Sequence, residues 1–415
     1  MSSTLQLGNS RPPTVAGPPR SPISWRCAIP AVLGAAVGLA SWLTSLPMAV
    51  ASVVVVLHLV LQRRVDVVCL WLGYMAPCVW PVVSAILAFD DTFPLVPAWS
   101  TGLCLPALVT AAWALSWVPP AASVGKRICS LTLPLALTAL PPMGVVALQH
   151  PIYASSSLFP GLGWAGIGLT VTGWALIAVA RRVHWSLVMG LASILVACAW
   201  WAHATEEPVS VGRPPNVLPI QTQRNPASSY AELVANTSDL AATIRESPQN
   251  YDLIVTPEGS VTKLTPGVAT LLRDLLASNT GSTLLIGAAR EGKGTRLENG
   301  ALLVQGNRSR YIQQRQPIPF GLWRPWHEEH YGAIWDIDPT FQVNGKTLLL
   351  KVCGDELNLT FHLLDSFRYN PDGVVIIANY WWSEEAWHSD LANRHMRAWT
   401  RLFGMPSWRA MNRYR

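Results

Sequence analysis

Hydrophobic and polar positions divide the chain near Glu206 into two halves with different rhythms. Before it, apolar residues continue for long stretches: Ala28 to Leu43, Pro47 to Leu61, Val67 to Phe89, Pro94 to Val118, Ile128 to Leu148, Phe159 to Ala180 and Trp185 to Trp201. A hydrocarbon core of ~30 Å takes about 20 apolar residues to cross as a helix, so these runs predict a transmembrane bundle of about seven spans. The first two runs are short for upright spans, and Ser45-Leu46-Pro47 between them supplies a turn. They are expected to form a hairpin of two short spans.

After Glu206 the apolar runs shrink to strand length. Asn216 to Thr222, Asp252 to Thr256, Thr283 to Ala289, Ala301 to Gln305, Thr347 to Cys353 and Val374 to Ala378 are rich in Val, Ile and Leu and read as buried strands. Helical patterns lie between them, at Ser228 to Glu246, Pro266 to Ser278 and Ser389 to Phe403. In the first, Leu233, Val234, Leu240 and Ile244 share a side. Gly306-Asn307 is a turn that joins two strands as a hairpin. Strands alternating with helices predict an α/β layered domain. The expected division is a cytoplasmic arm over 1–26, rich in Pro, Ser and Gly, a transmembrane region over 27–202 and the α/β domain over 203–415.

Charge gives this layout a direction. Before Glu206 the only acidic residues are Asp66, Asp90 and Asp91, and the basic ones are Arg11, Arg20, Arg26, Arg63, Arg64, Lys126, Arg127, Arg181 and Arg182. The basic residues fall in the arm and in alternate connections, and positive charge is retained on the cytoplasmic side. The N-terminus is therefore expected inside and the α/β domain outside, at the periplasmic face of a cell inner membrane. The net charge of +6 and pI of 9.0 follow from that distribution. After Glu206 no cluster of Lys and Arg interleaved with aromatics occurs until the C-terminal stretch, which reads as a solvated helix face, and direct nucleic-acid binding is not predicted. The lipid bilayer is the first expected partner.

Candidate chemistry is sparse. Glu258 follows a predicted strand in Thr256-Pro257-Glu258-Gly259, and Cys353 ends another in Val352-Cys353-Gly354-Asp355-Glu356. A Glu there can be a base or a solvated loop residue, and the Cys a nucleophile or part of a core. Six of the seven cysteines lie in or beside the apolar runs, which leaves Cys353 without a disulfide partner in its own half. His327-Glu328-Glu329-His330 lacks the four-residue histidine spacing of a helical zinc site, so no metal is expected. Gly287 to Gly294 lacks the Lys-Ser/Thr of a phosphate-binding loop. No cofactor is expected.

Taken in order, these segments resemble the carbon-nitrogen hydrolase (nitrilase) superfamily and its membrane branch, the apolipoprotein N-acyltransferases. The likeness runs from Asp252-Leu253-Ile254-Val255-Thr256-Pro257-Glu258, through Leu285-Ile286-Gly287, Asn299-Gly300-Ala301 and Pro319-Phe320-Gly321, to Val352-Cys353 with Asp355. It continues in Ile376-Ile377-Ala378-Asn379 with Trp382 and in Met396-Arg397-Ala398 through Arg409-Ala410-Met411-Asn412. The resemblance implies an αββα layered domain with Glu258 as general base and Cys353 as the nucleophile that carries an acyl thioester. Asp355, Asn379 and Phe320 would support them, a phospholipid would donate the acyl group and a lipoprotein would accept it.

Three departures accompany it. The family's lysine position is Gln314, with Arg315 beside it as a candidate cation, and Leu322 stands where the family has a Glu. Lys351 is a further candidate, placed on the Cys353 face by the two-residue strand period. The sequence stops at Arg415, before the family's last strands and closing transmembrane helix, so a C-terminally truncated domain is expected. In the segment after the Pro-Phe-Gly loop, Trp323, Trp326 and Trp335 suit a membrane interface or a core. A narrower likeness, of layout, is to membrane proteins of plasmid conjugal transfer, which implies partners in the conjugation apparatus and either a live acyltransferase site or a degenerate scaffold. A soluble-substrate amidase is disfavoured, because a small polar substrate has no need of seven spans.

Overall fold

The computed structural model describes residues 25–44, 47–89, 93–180, 185–204, 214–225, 227, 229–247, 250–276, 281–292, 296–319, 321–325, 330–383 and 386–413. The arm over 1–24, the charged connections at 90–91 and 181–182, Phe320, Trp326 and the residues 327–329 lie outside them.

The regular structure of the first half, among the described residues, is helical: α1 (Trp25–Trp42), α2 (Ser52–Val60), α3 (Arg64–Met75), α4 (Val79–Phe89), α5 (Leu95–Ser116), α6 (Val124–Ala139), α7 (Ser155–Leu158), α8 (Gly163–Val179) and α9 (Trp185–Ala204). Every predicted apolar run contains a helix among its described residues, but the lengths differ from expectation. Among the described residues two stretches, Arg64–Phe89 and Leu95–Ser116, are long and apolar enough to cross a membrane, and Pro151–Leu158 with Gly163–Val179 makes a third if the pair, bent by 112°, is one span. The apolar stretches Cys27–Trp42, Met48–Val60 and Met189–Ala204 are shorter. The run predicted to reach Leu148 ends its helix at Ala139, because Leu140 is extended (φ −100°, ψ 160°) ahead of Pro141-Pro142. Its remainder passes through a 3-10 turn toward the second half.

Close helix contact has a visible cause. A Cβ on Gly34 would lie 2.1 Å from the Leu70 carbonyl oxygen, and one on Gly73 would lie 2.0 Å from that of Ala31. Small residues let α1 and α3 approach backbone to backbone, the means by which helices associate where apolar solvent gives no hydrophobic drive.

The second half contains β1 (Val217–Pro219), β2 (Gln221–Thr222), α10 (Tyr230–Glu246), β3 (Leu253–Val255), α11 (Pro266–Leu276), β4 (Thr283–Glu291), β5 (Leu297–Gln305), β6 (Arg308–Gln313), β7 (Thr340–Val343) and β8 (Lys346–Val352). It ends with α12 (Leu359–Arg368), β9 (Gly373–Tyr380), α13 (Ala386–Phe403) and β10 (Ser407–Arg413). The strands form two five-stranded sheets, ordered β1-β3-β4-β5-β6 and β2-β10-β9-β8-β7. The single strand predicted over Asn216 to Thr222 is divided between them, since Leu218 pairs with Ile254 in one sheet and Gln221 with Met411 in the other.

Side-chain alternation builds the layers. Leu253, Val255, Leu285, Ala301 and Leu303 from the first sheet meet Leu348, Leu350, Val352, Val375 and Ile377 from the second in one core. Ile254, Leu284 and Ile286 point the other way, onto Leu233, Leu240 and Ile244 of α10. Leu349, Val374 and Ile376 meet Met396 of α13. The order is helix, sheet, sheet, helix.

The two halves share a core. Leu359 of α12 and Leu391, Ala398, Trp399 and Leu402 of α13 are buried with residues of the helical half. Trp42 stacks on His395 with ring centroids 4.6 Å apart. The Ala147 amide donates to the Leu357 carbonyl (3.0 Å), and Thr360 Oγ1 donates to the Ala139 carbonyl (2.9 Å). These contacts set the strand end at Cys353 against the helical half.

Candidate active site

Glu258 sits just beyond β3, in a segment held from below by β4. Thr256 Oγ1 accepts from the Gly287 amide at 3.0 Å. A Cβ on Gly287 would lie 1.9 Å from the Pro257 carbonyl oxygen, so only glycine permits this approach. Glu258 is buried, and its Oε1 accepts from Asn299 Nδ2 at 2.5 Å. Its Oε2 is buried without a close hydrogen-bond partner, and the Cys353 thiol and the Asn379 backbone face the carboxyl group. That oxygen is free to receive a proton.

Cys353 follows the last residue of β8 and has φ +44°, in the left-handed region that a non-glycine residue rarely enters. This changes the expected geometry. Strict alternation would put Cys353 on the side of Lys351, but the chain turns over at Cys353 into the 3-10 turn Cys353–Leu357. The thiol therefore faces Glu258, and Lys351 faces away. Burial pushes the Cys353 thiol well above its usual range, and the carboxylates of Glu258 and Glu356 add to the effect. Burial also pushes Glu258 up to about 7, against the Asn299 amide and the Cys353 thiol, which favour its charged form. The resting pair is a protonated thiol beside a carboxyl group poised near neutrality. Such a pair can pass a proton as the sulfur attacks.

The two candidate cations are engaged elsewhere. Arg315 Nη1 and Nη2 donate to the two oxygens of Asp365 at 2.6 and 2.5 Å, and the guanidinium lies 3.9 Å over the Phe361 ring. Lys351 Nζ donates to Asp365 Oδ2 at 2.7 Å and is fully buried. The reading of Arg315 or Lys351 as the cation of the site is corrected on that ground. Both neutralise Asp365 on the far side of β8. Gln314 does join the site's framework: its Oε1 accepts from Asn299 Nδ2 at 2.8 Å, and its Nε2 donates to the Val352 carbonyl at 2.7 Å. With both ends of its amide occupied, Gln314 ties the Glu258 loop to the strand that ends at Cys353.

Asp355 is buried, and burial raises it to about 6 despite the charges of Arg315 and Lys351. Asn379 Oδ1 accepts from Asn412 Nδ2 at 2.8 Å, joining β9 to β10 at the rim of the site. Leu322, in place of a carboxylate, lines the cavity described below. Asn299, Glu356 and Arg409 stand in the sequence only as parts of motifs, without a role of their own, and the structure gives each one. Asn299 bridges Glu258 and Gln314, and a polar residue one position before a glycine inside an apolar strand was the available signal. Glu356 is fully buried and accepts from Arg409 Nη2 at 3.0 Å.

A cavity of about 1130 Å³ opens over these groups. Glu258, Asn299, Cys353 and Asn379 form its polar end, and Val82, Ile86 and Phe89 of α4 and Cys104, Leu105 and Leu108 of α5 line it from the helical half. Trp323 and Trp335 also line it, and Trp335 Nε1 donates to Gln316 Oε1 at 2.9 Å.

No family model matches the chain. The chain is 27% identical over 312 residues to the conjugal transfer protein TraB of Agrobacterium fabrum, covering 72% of this chain and 68% of that protein. It is 26% identical over 289 residues to the probable conjugal transfer protein TraB of Sinorhizobium fredii, covering 65% and 69%. Among solved structures, the chain resembles an amidase from Nesterenkonia sp., with 17% identity, TM-score 0.37, and 50% of this chain and 80% of that chain covered, and a mutant of a Nesterenkonia amidase from the nitrilase superfamily, with 16% identity, TM-score 0.36, and 49% and 78% covered. It also resembles glutamine-dependent NAD+ synthetase from Acinetobacter baumannii, with 15% identity, TM-score 0.31, and 40% and 32% covered.

Proposed function

We propose that the chain is a multi-pass inner-membrane protein of plasmid conjugal transfer whose α/β domain lies on the periplasmic side and transfers an acyl group through Cys353. The observation that carries this reading is the cavity, which joins a buried Cys–Glu pair to the apolar walls of α4 and α5. A small polar amide has no use for such walls; a lipid acyl chain does. Glu258 takes the Cys353 proton as sulfur attacks the ester carbonyl of a phospholipid. A C–S bond forms, the ester C–O bond breaks, and the proton passes to the departing alkoxide. Glu258, ionised again, then takes the proton of an incoming amine, such as the N-terminus of a lipoprotein, as the thioester C–S bond breaks and the thiol is regenerated. The charge-poor connections between apolar runs support the orientation, and the two relatives support the assignment to conjugation.

A second reading is favoured by one observation: Gln314 is neutral, and Arg315 and Lys351 are both held by Asp365, away from Cys353. On that reading the domain is a scaffold of the transfer apparatus that has kept the fold and lost the chemistry. Plasmid transfer from donor cells carrying Cys353→Ala, with membrane protein level checked, separates the two. Loss of transfer at unchanged level supports catalysis, and transfer at the unmodified frequency supports the scaffold.

A further inference from the structure

Few large apolar side chains stand exposed on the described surface of the α/β domain, and apart from Tyr230 on α10 they gather on one flank. Ile334 is 41% exposed, Trp335 42%, Leu364 43% and Phe367 79%. The Trp335 ring meets Phe361 edge-on, with centroids 5.4 Å apart. From the buried Phe361, Leu364 and Phe367 follow at three-residue spacing along α12, so that the apolar positions turn outward from the Trp335 contact to the surface at Phe367. The row does not stop at the domain boundary. Phe367 meets Trp164, in the first turn of α8, at 6.5 Å, and Trp164 meets Phe403 at 5.8 Å while remaining 43% exposed.

The helix cannot roll to hide this face. On its other side Asp365 is held by Arg315 and Lys351, Ser366 Oγ accepts from Trp399 Nε1 at 3.0 Å, and His362 stacks on Trp399 at 5.4 Å. Its start is fixed as well, because Asn358 Oδ1 caps the Phe361 amide at 3.0 Å and Thr360 is bonded to the end of α6. Phe367 is thus built to point outward, at the level where α6 ends and α8 begins. The apolar medium continuous with it is whatever surrounds α8.

We propose that α12 is an interfacial helix, with Leu364 and Phe367 set into the boundary between headgroups and acyl chains beside the first turn of α8. Exposed Arg368 stands next to them at the height of lipid phosphates. The proposal rests on the helical half being membrane-spanning. It has a mechanical consequence, since α12 begins two residues after the turn Cys353–Leu357 ends. Lipid contact at Phe367 fixes the depth at which Cys353 meets a substrate drawn from the same bilayer.

The test places the photo-crosslinking residue p-benzoylphenylalanine singly at Phe367, at Tyr230 on the opposite helical layer, and at Leu103 on the exposed face of α5. Each full-length protein is reconstituted into vesicles of phosphatidylethanolamine and phosphatidylglycerol and irradiated, and adducts are read by intact mass. The expected result is a phospholipid adduct at Phe367 comparable with that at Leu103 and several-fold above that at Tyr230. An adduct at Leu103 without one at Phe367 overturns the assignment of α12 and leaves the membrane reading standing. Absence at both positions overturns the two together. A cross-link from Phe367 to a second copy of the chain also overturns the proposal, by assigning the row to a protein interface.

Discussion

The two sides of β8 treat buried charge in opposite ways. On the side of α12, Lys351 and Arg315 converge on Asp365, and every charge has a partner within hydrogen-bonding distance. Burial alone would raise Asp365, yet the two cations bring it below the usual carboxylate range. Across the strand end, Glu258 has a neutral amide and a thiol and, among the described residues, no cation paired with it, and burial raises it to about 7. The same strand therefore carries a hydrogen-bonded ion cluster that fixes structure and a carboxyl group without an ion partner that can exchange a proton near neutral pH. The difference teaches where to look for chemistry: in the group whose charge the fold leaves unpaired.

The comparison can be broken most severely at Glu258. Glu258→Gln keeps the acceptor for Asn299 and removes the base, so alkylation or acylation of Cys353 is expected to slow by about 10²- to 10⁴-fold. Stopped-flow or mass-resolved labelling of Cys353 measures it.

On the other side, Asp365→Asn leaves two buried cations underpaired and is expected to cost about 3–5 kcal/mol, seen as a lower Tm and lower membrane yield. Replacing Lys351, Arg315 and Asp365 together with apolar residues of similar size is expected to restore much of that loss, because an isolated cation in the protein interior is worse than none.

A pH series sharpens the contrast. Glu258 has a folded value of about 7 against an ordinary 4.5. Its raised value contributes stability that is fully present below the unfolded value and is lost as pH rises through about 7. Glu258→Gln is therefore expected to raise Tm at pH 8 and to leave it nearly unchanged at pH 4, with a ceiling of about 3 kcal/mol. Over the same range the labelling of Cys353 in the unaltered protein is expected to increase and then level off above pH 7, while Glu258→Gln loses that step.

The smallest effect is expected from Gln314→Lys. An ammonium beside Asn299 and Glu258 would lower the carboxyl group by about one unit and move the labelling midpoint to lower pH by the same amount.

Much of this was legible in the sequence. The strands at Glu258 and Cys353 are short apolar runs that end in polar residues, and their contrast with the flanking helices exposes them. Strands β7 and β10 were not foreseen, since Thr340–Val343 and Ser407–Arg413 alternate polar and apolar residues too briefly to stand out. Helix α12 was missed because its buried face is built from His362, Asp365 and Ser366 as well as Phe361, so burial does not follow hydrophobicity there. The placement of Lys351 beside Cys353 failed for a local reason: the two-residue period holds only while the strand lasts, and Cys353 turns over at φ +44°. Arg315 was misplaced because its partner, Asp365, is 50 positions away in sequence. The helical character of the first half was readable from composition, but the lengths of its helices depend on proline positions and on what the other half presses against them.

The measurement that bears most directly on acyl transfer is the intact mass of the full-length protein after incubation with phospholipid of a single defined acyl chain. The prediction is a mass increase of one acyl group that is absent in Cys353→Ala, slowed in Glu258→Gln and removed by hydroxylamine. A protein that stays unmodified in lipid, or gains an acyl group that persists in Cys353→Ala, would contradict it.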